Sequence, residues 1–197
     1  MTPFRLGLTG SIGMGKSTTA ALFAEKGIPV WDADQAVHRL YAPGGAAVAP
    51  LSRLHPAAAC DGGIDRAALR QWIAADPSAL ARIESIVHPL VAADRAQFIA
   101  KATSDLVLLD IPLLFETGAE AQLDATLVVT APAALQRARV LARPGMTEAL
   151  LQQLLAKQMP DREKRGRATH LIETLSLQSV RACVQALITY IRQGNHA

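Results

Sequence analysis

A single lysine stands among glycines in the run Gly10-Ser11-Ile12-Gly13-Met14-Gly15-Lys16-Ser17, with Thr18 next in line. The spacing is GxxxxGK[ST], the pattern of a phosphate-binding loop. Glycines permit positive φ and let backbone N–H groups turn inward toward phosphate oxygens, while a helix beginning at the lysine adds its positive end. In such a loop Gly10, Gly13, Met14, Gly15, Lys16, Ser17 and Thr18 form the nucleotide site. The Lys16 ammonium reaches the β- and γ-phosphates, and the Ser17 hydroxyl is the expected ligand of Mg²⁺.

Other residues extend the chemistry beyond binding. "WDADQ" places Asp32 and Asp34 two apart, where a carboxylate can accept the proton of an attacking hydroxyl or aim it at a γ-phosphate. If the preceding strand persists, the two acids share a face; either can instead cap the helix expected near Gln35. Arg139 and Arg143 are four apart in a helical stretch, so one face would hold two guanidinium groups over a transferring phosphoryl. The plainer alternative is a solvated helix face. The segment from Arg137 to Arg167 carries a net charge of +5 and the rest of the chain −2. That local charge suits a phosphorylated small ligand. Nucleic acid is disfavoured because the few aromatic residues do not interleave with the basic ones.

The elements that must hold these groups alternate. Phe4 to Leu8, "IPVW", "DLVLLD", "DATLVVT" and "THLIET" read as five strands, and their unbroken apolar character indicates a parallel sheet covered on both faces. Helices are expected from Lys16 to Lys26, from Ala36 to Tyr41, from Pro132 through Arg143, from Thr147 to Lys157 and from Ser176 to Arg192. Between the second and third strands lies a mainly helical insert: "DRAALRQWIAA" capped by Asp65, then a stretch helical on both sides of Pro89. "AAVAPLSRLHPAAACDGG" ahead of it reads as irregular, with Gly62-Gly63 making a turn. Asp110, at the end of the third strand, is a candidate acid acting on Mg²⁺ through water.

At 197 residues, half of them hydrophobic, the chain fits one domain with a small insertion. No apolar run approaches the ~20 residues that span a bilayer, and no secretory signal is read at the N-terminus. A cytoplasmic location is therefore expected, with no membrane partner. Cys60 and Cys183 belong to no CxxC pair and are expected as two buried thiols. The only asparagine is Asn195, which excludes the NKxD guanine signature of GTPases, and no LSGGQ-like segment points to a transporter ATPase. Small-molecule kinases remain.

In this setting "GLTGSIGMGKST", "GIPVWDAD", "DGGIDRAALR", "IVHPLV", "LLDIPLLFETG" and "LVVTAP" stand in an order that resembles the dephospho-CoA kinase family, over more than 80% of the chain. The resemblance implies a P-loop kinase-like α/β fold: three α/β/α layers, a central parallel five-stranded sheet, a helical substrate-binding insert (about 43–103) and a small helical lid (about 137–167). It implies ATP and Mg²⁺ as donor and metal, dephospho-CoA as acceptor, and no need for a second copy of the chain. Asp34 corresponds to the catalytic acid, Lys16 to the phosphate-binding lysine and Arg143 to the lid arginine, with Arg139 as its partner. His88, beside Pro89, falls on the substrate side, as do Pro112, Leu113, Leu114 and Glu116 in the loop facing the acceptor. Two departures stand out. Pro144 follows the lid arginine where the family has Asp, and "ATHLIETLS" (168–176) lacks the Asn and Gly of the family segment close to the adenine. A shikimate-kinase-like enzyme and a non-catalytic nucleotide-binding module are the alternatives.

Overall fold

The structure, a computed structural model, describes residues 2–194. In chain order the elements are β1 (Phe4–Thr9), α1 (Lys16–Glu25), β2 (Val30–Asp32), α2 (Ala33–Tyr41), α3 (Val48–Leu54), β3 (Ala59–Cys60), β4 (Gly63–Ile64), α4 (Arg66–Ala75), α5 (Ala79–Lys101), β5 (Leu106–Asp110), β6 (Ala125–Thr130), α6 (Ala133–Leu141), α7 (Glu148–Ala156), α8 (Asp161–Arg167), β7 (His170–Glu173) and α9 (Leu177–Arg192). Short 3₁₀ turns cover Pro56–Ala58 and Ala119–Gln122. The chain divides into two compact units, Asp32–Lys101 and the remainder.

The larger unit is built on a five-stranded parallel sheet of order β2-β5-β1-β6-β7. Every residue of β5 and β6 is buried, as strands covered on both faces must be. Alternation then sorts their side chains. Leu6 and Leu8 of β1 with Ala125, Leu127 and Val129 of β6 join Phe23 of α1 and Val184 and Ile188 of α9 in one core. The opposite face of β6 carries Thr130, whose hydroxyl donates to Asp161 at 2.8 Å, so α8 lies on that side. This is the three-layer α/β arrangement expected. β1 is central, and its carboxyl end runs directly into the glycine loop.

The smaller unit has its own core of Leu40, Leu51, Leu69, Ile83 and Val87. Here the structure corrects the sequence reading in three places. The stretch read as irregular contains α3 and a β3–β4 hairpin whose turn residues, Asp61 and Gly62, have φ of 47° and 76°. Asp-Gly is the dipeptide such a two-residue turn requires. Second, α2 starts three residues earlier than expected: Asp32 is its N-cap and accepts the Gln35 N–H at 2.9 Å. The strand therefore does not continue to Asp34, and the two acids do not share a strand face. Third, Cys60 is exposed at the hairpin end. Cys183, on α9 in the larger unit, is exposed as well; neither thiol is buried as expected. α5 runs unbroken through Pro89, which is exposed, so water can serve the Ser85 carbonyl that loses its helical partner.

Candidate active site

β1 ends at Thr9, and the chain turns through Gly10–Gly15 before α1 begins at Lys16. Gly15 is the helix N-cap at φ 88°, and Gly13 has φ 78°. A side chain at Gly13 would also meet Val140 Cγ2 at 2.5 Å and the Gln136 carbonyl at 3.1 Å, so both conformation and space demand glycine. The first-turn N–H groups of α1 have no acceptor within the helix and gather at the loop, together with the helix dipole. Ser17 and Thr18 lie exposed in that turn, and an exposed hydroxyl next to Lys16 fits a Mg²⁺ ligand. Lys16 Nζ lies 2.5 Å from Asp110 Oδ1, with the carboxylate almost wholly buried at the end of β5. Asp110 thus stands at the loop, with the lysine as its ion-pair partner.

Loop geometry also rests on side-chain contacts of Met14 and Arg139 and on three residues that sequence reasoning missed, Gln136, Gln158 and Thr174. Met14 is buried; its N–H closes the loop's own turn on the Ser11 carbonyl at 3.1 Å, and its sulfur accepts the Ala131 N–H at 3.0 Å. Met14 therefore shapes the nucleotide loop from within. Thr174, buried just beyond β7, donates its hydroxyl to the Met14 carbonyl at 2.9 Å. The same hydroxyl accepts from Arg139 Nη1 at 2.9 Å, and the Thr174 carbonyl accepts from Nη2 at 2.5 Å. Gln136 Nε2 donates to the Ile12 carbonyl at 2.8 Å, and Gln158 Oε1 accepts the Ile12 N–H at 3.1 Å. Gln136 was recoverable: it lies four before buried Val140 on α6, on the stripe that must face inward.

The arginine pair is corrected. α6 ends at Leu141, so Arg143 is not on its face with Arg139. Pro144 is the reason, since a residue before proline is pushed out of the helical region. Arg143 sits exposed in the following turn, its N–H on the Val140 carbonyl at 3.0 Å.

The loop after β5 is held from two sides. The Thr9 hydroxyl donates to the Pro112 carbonyl at 3.0 Å, and Leu113 is exposed. Leu114 is fully buried, so in this arrangement it supports the loop instead of facing an acceptor, contrary to expectation. Glu116 points its carboxylate toward the chain after α7: Oε1 accepts the Met159 N–H at 2.8 Å and lies 2.9 Å from Lys164 Nζ. Lys164, one of the basic residues of the +5 segment, is fully buried in α8. Burial would raise the Glu116 carboxyl, but the Lys164 ammonium and the Met159 N–H outweigh it and hold the group below its ordinary range.

In the smaller unit Asp34 is exposed in the first turn of α2, and His88 is exposed on α5. That unit also has a cavity of about 480 Å³ lined by His38, Tyr41, Cys60, Asp61, Asp65 and Arg66, which motif reading did not indicate.

With this geometry in view, comparison with known proteins is decisive. The dephospho-CoA kinase family profile matches residues 4–178. The chain belongs to the dephospho-CoA kinase family. Dephospho-CoA kinase of Cereibacter sphaeroides is 69% identical over 193 residues, 98% of each chain, and that of Ruegeria pomeroyi 57% identical over 192, again 98% of each. A solved structure from Thermus thermophilus superposes with a TM-score of 0.84 at 38% identity, covering 96% of this chain and 98% of that one. Campylobacter jejuni dephospho-CoA kinase, at 24% identity and a TM-score of 0.72 over 97% and 98% of the two chains, shares the fold. Membership in the dephospho-CoA kinase family makes the chain an ATP-dependent kinase acting on a small molecule. No described helix is long and apolar enough to cross a membrane.

Proposed function

We propose that the chain transfers the γ-phosphoryl group of ATP to the ribose 3′-hydroxyl of dephospho-CoA, giving coenzyme A and ADP, in the cytoplasm. The observation that carries this is a phosphate loop of the required geometry in a chain 69% identical to a dephospho-CoA kinase. The loop N–H groups and the Lys16 ammonium hold the donor's β- and γ-phosphates and stabilise charge that spreads onto the transferring group. Asp34 takes the proton of the acceptor hydroxyl as its oxygen bonds to phosphorus and the bond to the bridging oxygen of ADP breaks. Arg143 closes over the phosphates as water is excluded, and Arg139, fixed on Thr174, sets the wall of the donor site beside the loop. Mg²⁺, held by Ser17 with Asp110 beyond a water, would neutralise part of the phosphate charge. Among the acceptor-side residues, His88, Pro112 and Leu113 offer accessible surface for dephospho-CoA, whereas Leu114 and Glu116 act by holding the loop.

Purified protein incubated with ATP-Mg²⁺ and dephospho-CoA should yield coenzyme A, read by mass as one added phosphoryl group. Phosphorylation of shikimate with none of dephospho-CoA would overturn the reading. ATP compared with GTP as donor tests whether segment 168–176, which lacks the family's Asn and Gly, alters base choice.

A further inference from the structure

Ile12 belongs to the glycine loop, yet neither of its backbone polar groups is left for a nucleotide. Its carbonyl accepts from Gln136 Nε2 at 2.8 Å and its N–H donates to Gln158 Oε1 at 3.1 Å. The two glutamines come from different elements: Gln136 is buried on α6, and Gln158 lies in the connection between α7 and α8. The Ile12 N–H and carbonyl belong to the peptides on either side of the Ile12 Cα, so Ile12 cannot change its own φ or ψ without losing a hydrogen bond. The adjacent Gly13, at φ 78°, is the position where the loop would otherwise be freest to do so.

The Gln158 grip is itself anchored. Met159, the next residue, donates its N–H to Glu116 Oε1 at 2.8 Å, and the same oxygen lies 2.9 Å from the buried Lys164 ammonium. Pro160 follows and caps α8, accepting the Glu163 and Lys164 N–H groups at 2.9 and 3.1 Å. The connection is therefore fixed at three consecutive residues, and only Gln158 reaches the glycine loop from it.

We propose that Gln158 is a positioning residue of the kinase: through the Ile12 N–H it holds the phosphate loop in its nucleotide-ready conformation and ties that conformation to the Glu116 loop. It touches no reacting atom; it acts through Ile12. The inference rests on the reading of this loop as the donor site, but its test does not need turnover.

Amide hydrogen exchange is measured by NMR on the full, nucleotide-free chain, for the wild type, Gln158→Ala and Gln158→Glu. In Gln158→Ala the Ile12 amide should exchange about five- to tenfold faster, as loss of one hydrogen bond implies, while Leu6 and Leu8 of β1 keep their rates. Gln158→Glu keeps an acceptor oxygen and should return Ile12 to within about threefold of wild type. In steady-state assays, Gln158→Ala should raise the KM for ATP about fivefold and leave that for dephospho-CoA within twofold. An unchanged Ile12 rate in Gln158→Ala overturns the proposal, as does equal acceleration of Leu6 and Leu8, or a Gln158→Glu protein that exchanges as fast as the alanine variant. A wild-type chain that phosphorylates no dephospho-CoA would remove the proposed function and leave the exchange result to decide this one.

Discussion

Lys164→Met separates the worth of a buried charge from the worth of the side chain that carries it. Methionine keeps most of the aliphatic stem and removes the ammonium, so packing changes little. What remains is the Glu116 side chain, only 19% exposed and left with the backbone N–H groups of Met159 and of Glu116 itself as donors. Removing one partner of a fully buried pair costs about 3–5 kcal/mol; partial access of Glu116 to water brings the expectation to about 2–3 kcal/mol. For a chain of this size that is a fall in Tm of about 5–10 °C, read in the transition of the sheet-bearing unit by calorimetry. Glu116→Gln alone should cost at least as much, because it strands an ammonium with no exposure at all. The double variant leaves no charge and keeps an acceptor for Met159, so it should lie within about 1 kcal/mol of wild type, far from the sum of the singles. The pH dependence follows from the lowered Glu116 carboxyl. A folded-state pKa below the ordinary 4.5 means the stabilisation is complete above that value and is lost as pH falls through the folded pKa. The gap between wild type and Lys164→Met should therefore be constant near neutrality and close in acid. Additive single and double variants, or a Lys164→Met protein within about 0.5 kcal/mol of wild type at pH 7, would refute the reasoning.

Gly13→Ala combines positive φ with a 2.5 Å approach to Val140, so about 1–3 kcal/mol of stability should be lost, with weaker nucleotide binding by calorimetric titration. Lys16→Met removes a donor aimed at developing phosphate charge; kcat should fall about 100-fold or more with an unchanged circular dichroism spectrum. Asp34→Asn should lower kcat at least about 100-fold while the KM for ATP stays near wild type, and near-normal turnover would remove Asp34 as the base. Arg143→Ala should lower kcat in the same assay, and an unchanged kcat would remove the lid arginine from the mechanism.

The phosphate loop was legible because its demands are local: glycines where φ is positive, a lysine at the helix start, an apolar strand before it. The sheet was legible too, since β5 and β6 are apolar along their whole length. What escaped depends on competition or on distance. Pro144 ends α6 before Arg143, although the i, i+4 spacing suggested a common face. Asp32 both ends β2 and caps α2, so the strand stops short of Asp34. The turn expected at Gly62-Gly63 falls one residue earlier, at Asp61-Gly62, where it closes a hairpin that the irregular stretch around it did not suggest. Lys164 looks like any surface lysine until Glu116, 48 positions earlier, closes on it in the folded chain. Gln158 and Thr174 likewise gain their contacts with the glycine loop from partners more than a hundred residues away.

The two cysteines carry a practical consequence. One thiol, Cys60, is exposed in the smaller unit, and the other, Cys183, is exposed in the sheet-bearing unit. The native chain thus already has one attachment point for a spectroscopic probe in each half, with no engineered residue needed. Asp61 beside Cys60 pushes that thiol up, so Cys60 reacts more slowly near neutral pH than an ordinary cysteine. With one dye on each thiol, the pair becomes a ruler read during turnover.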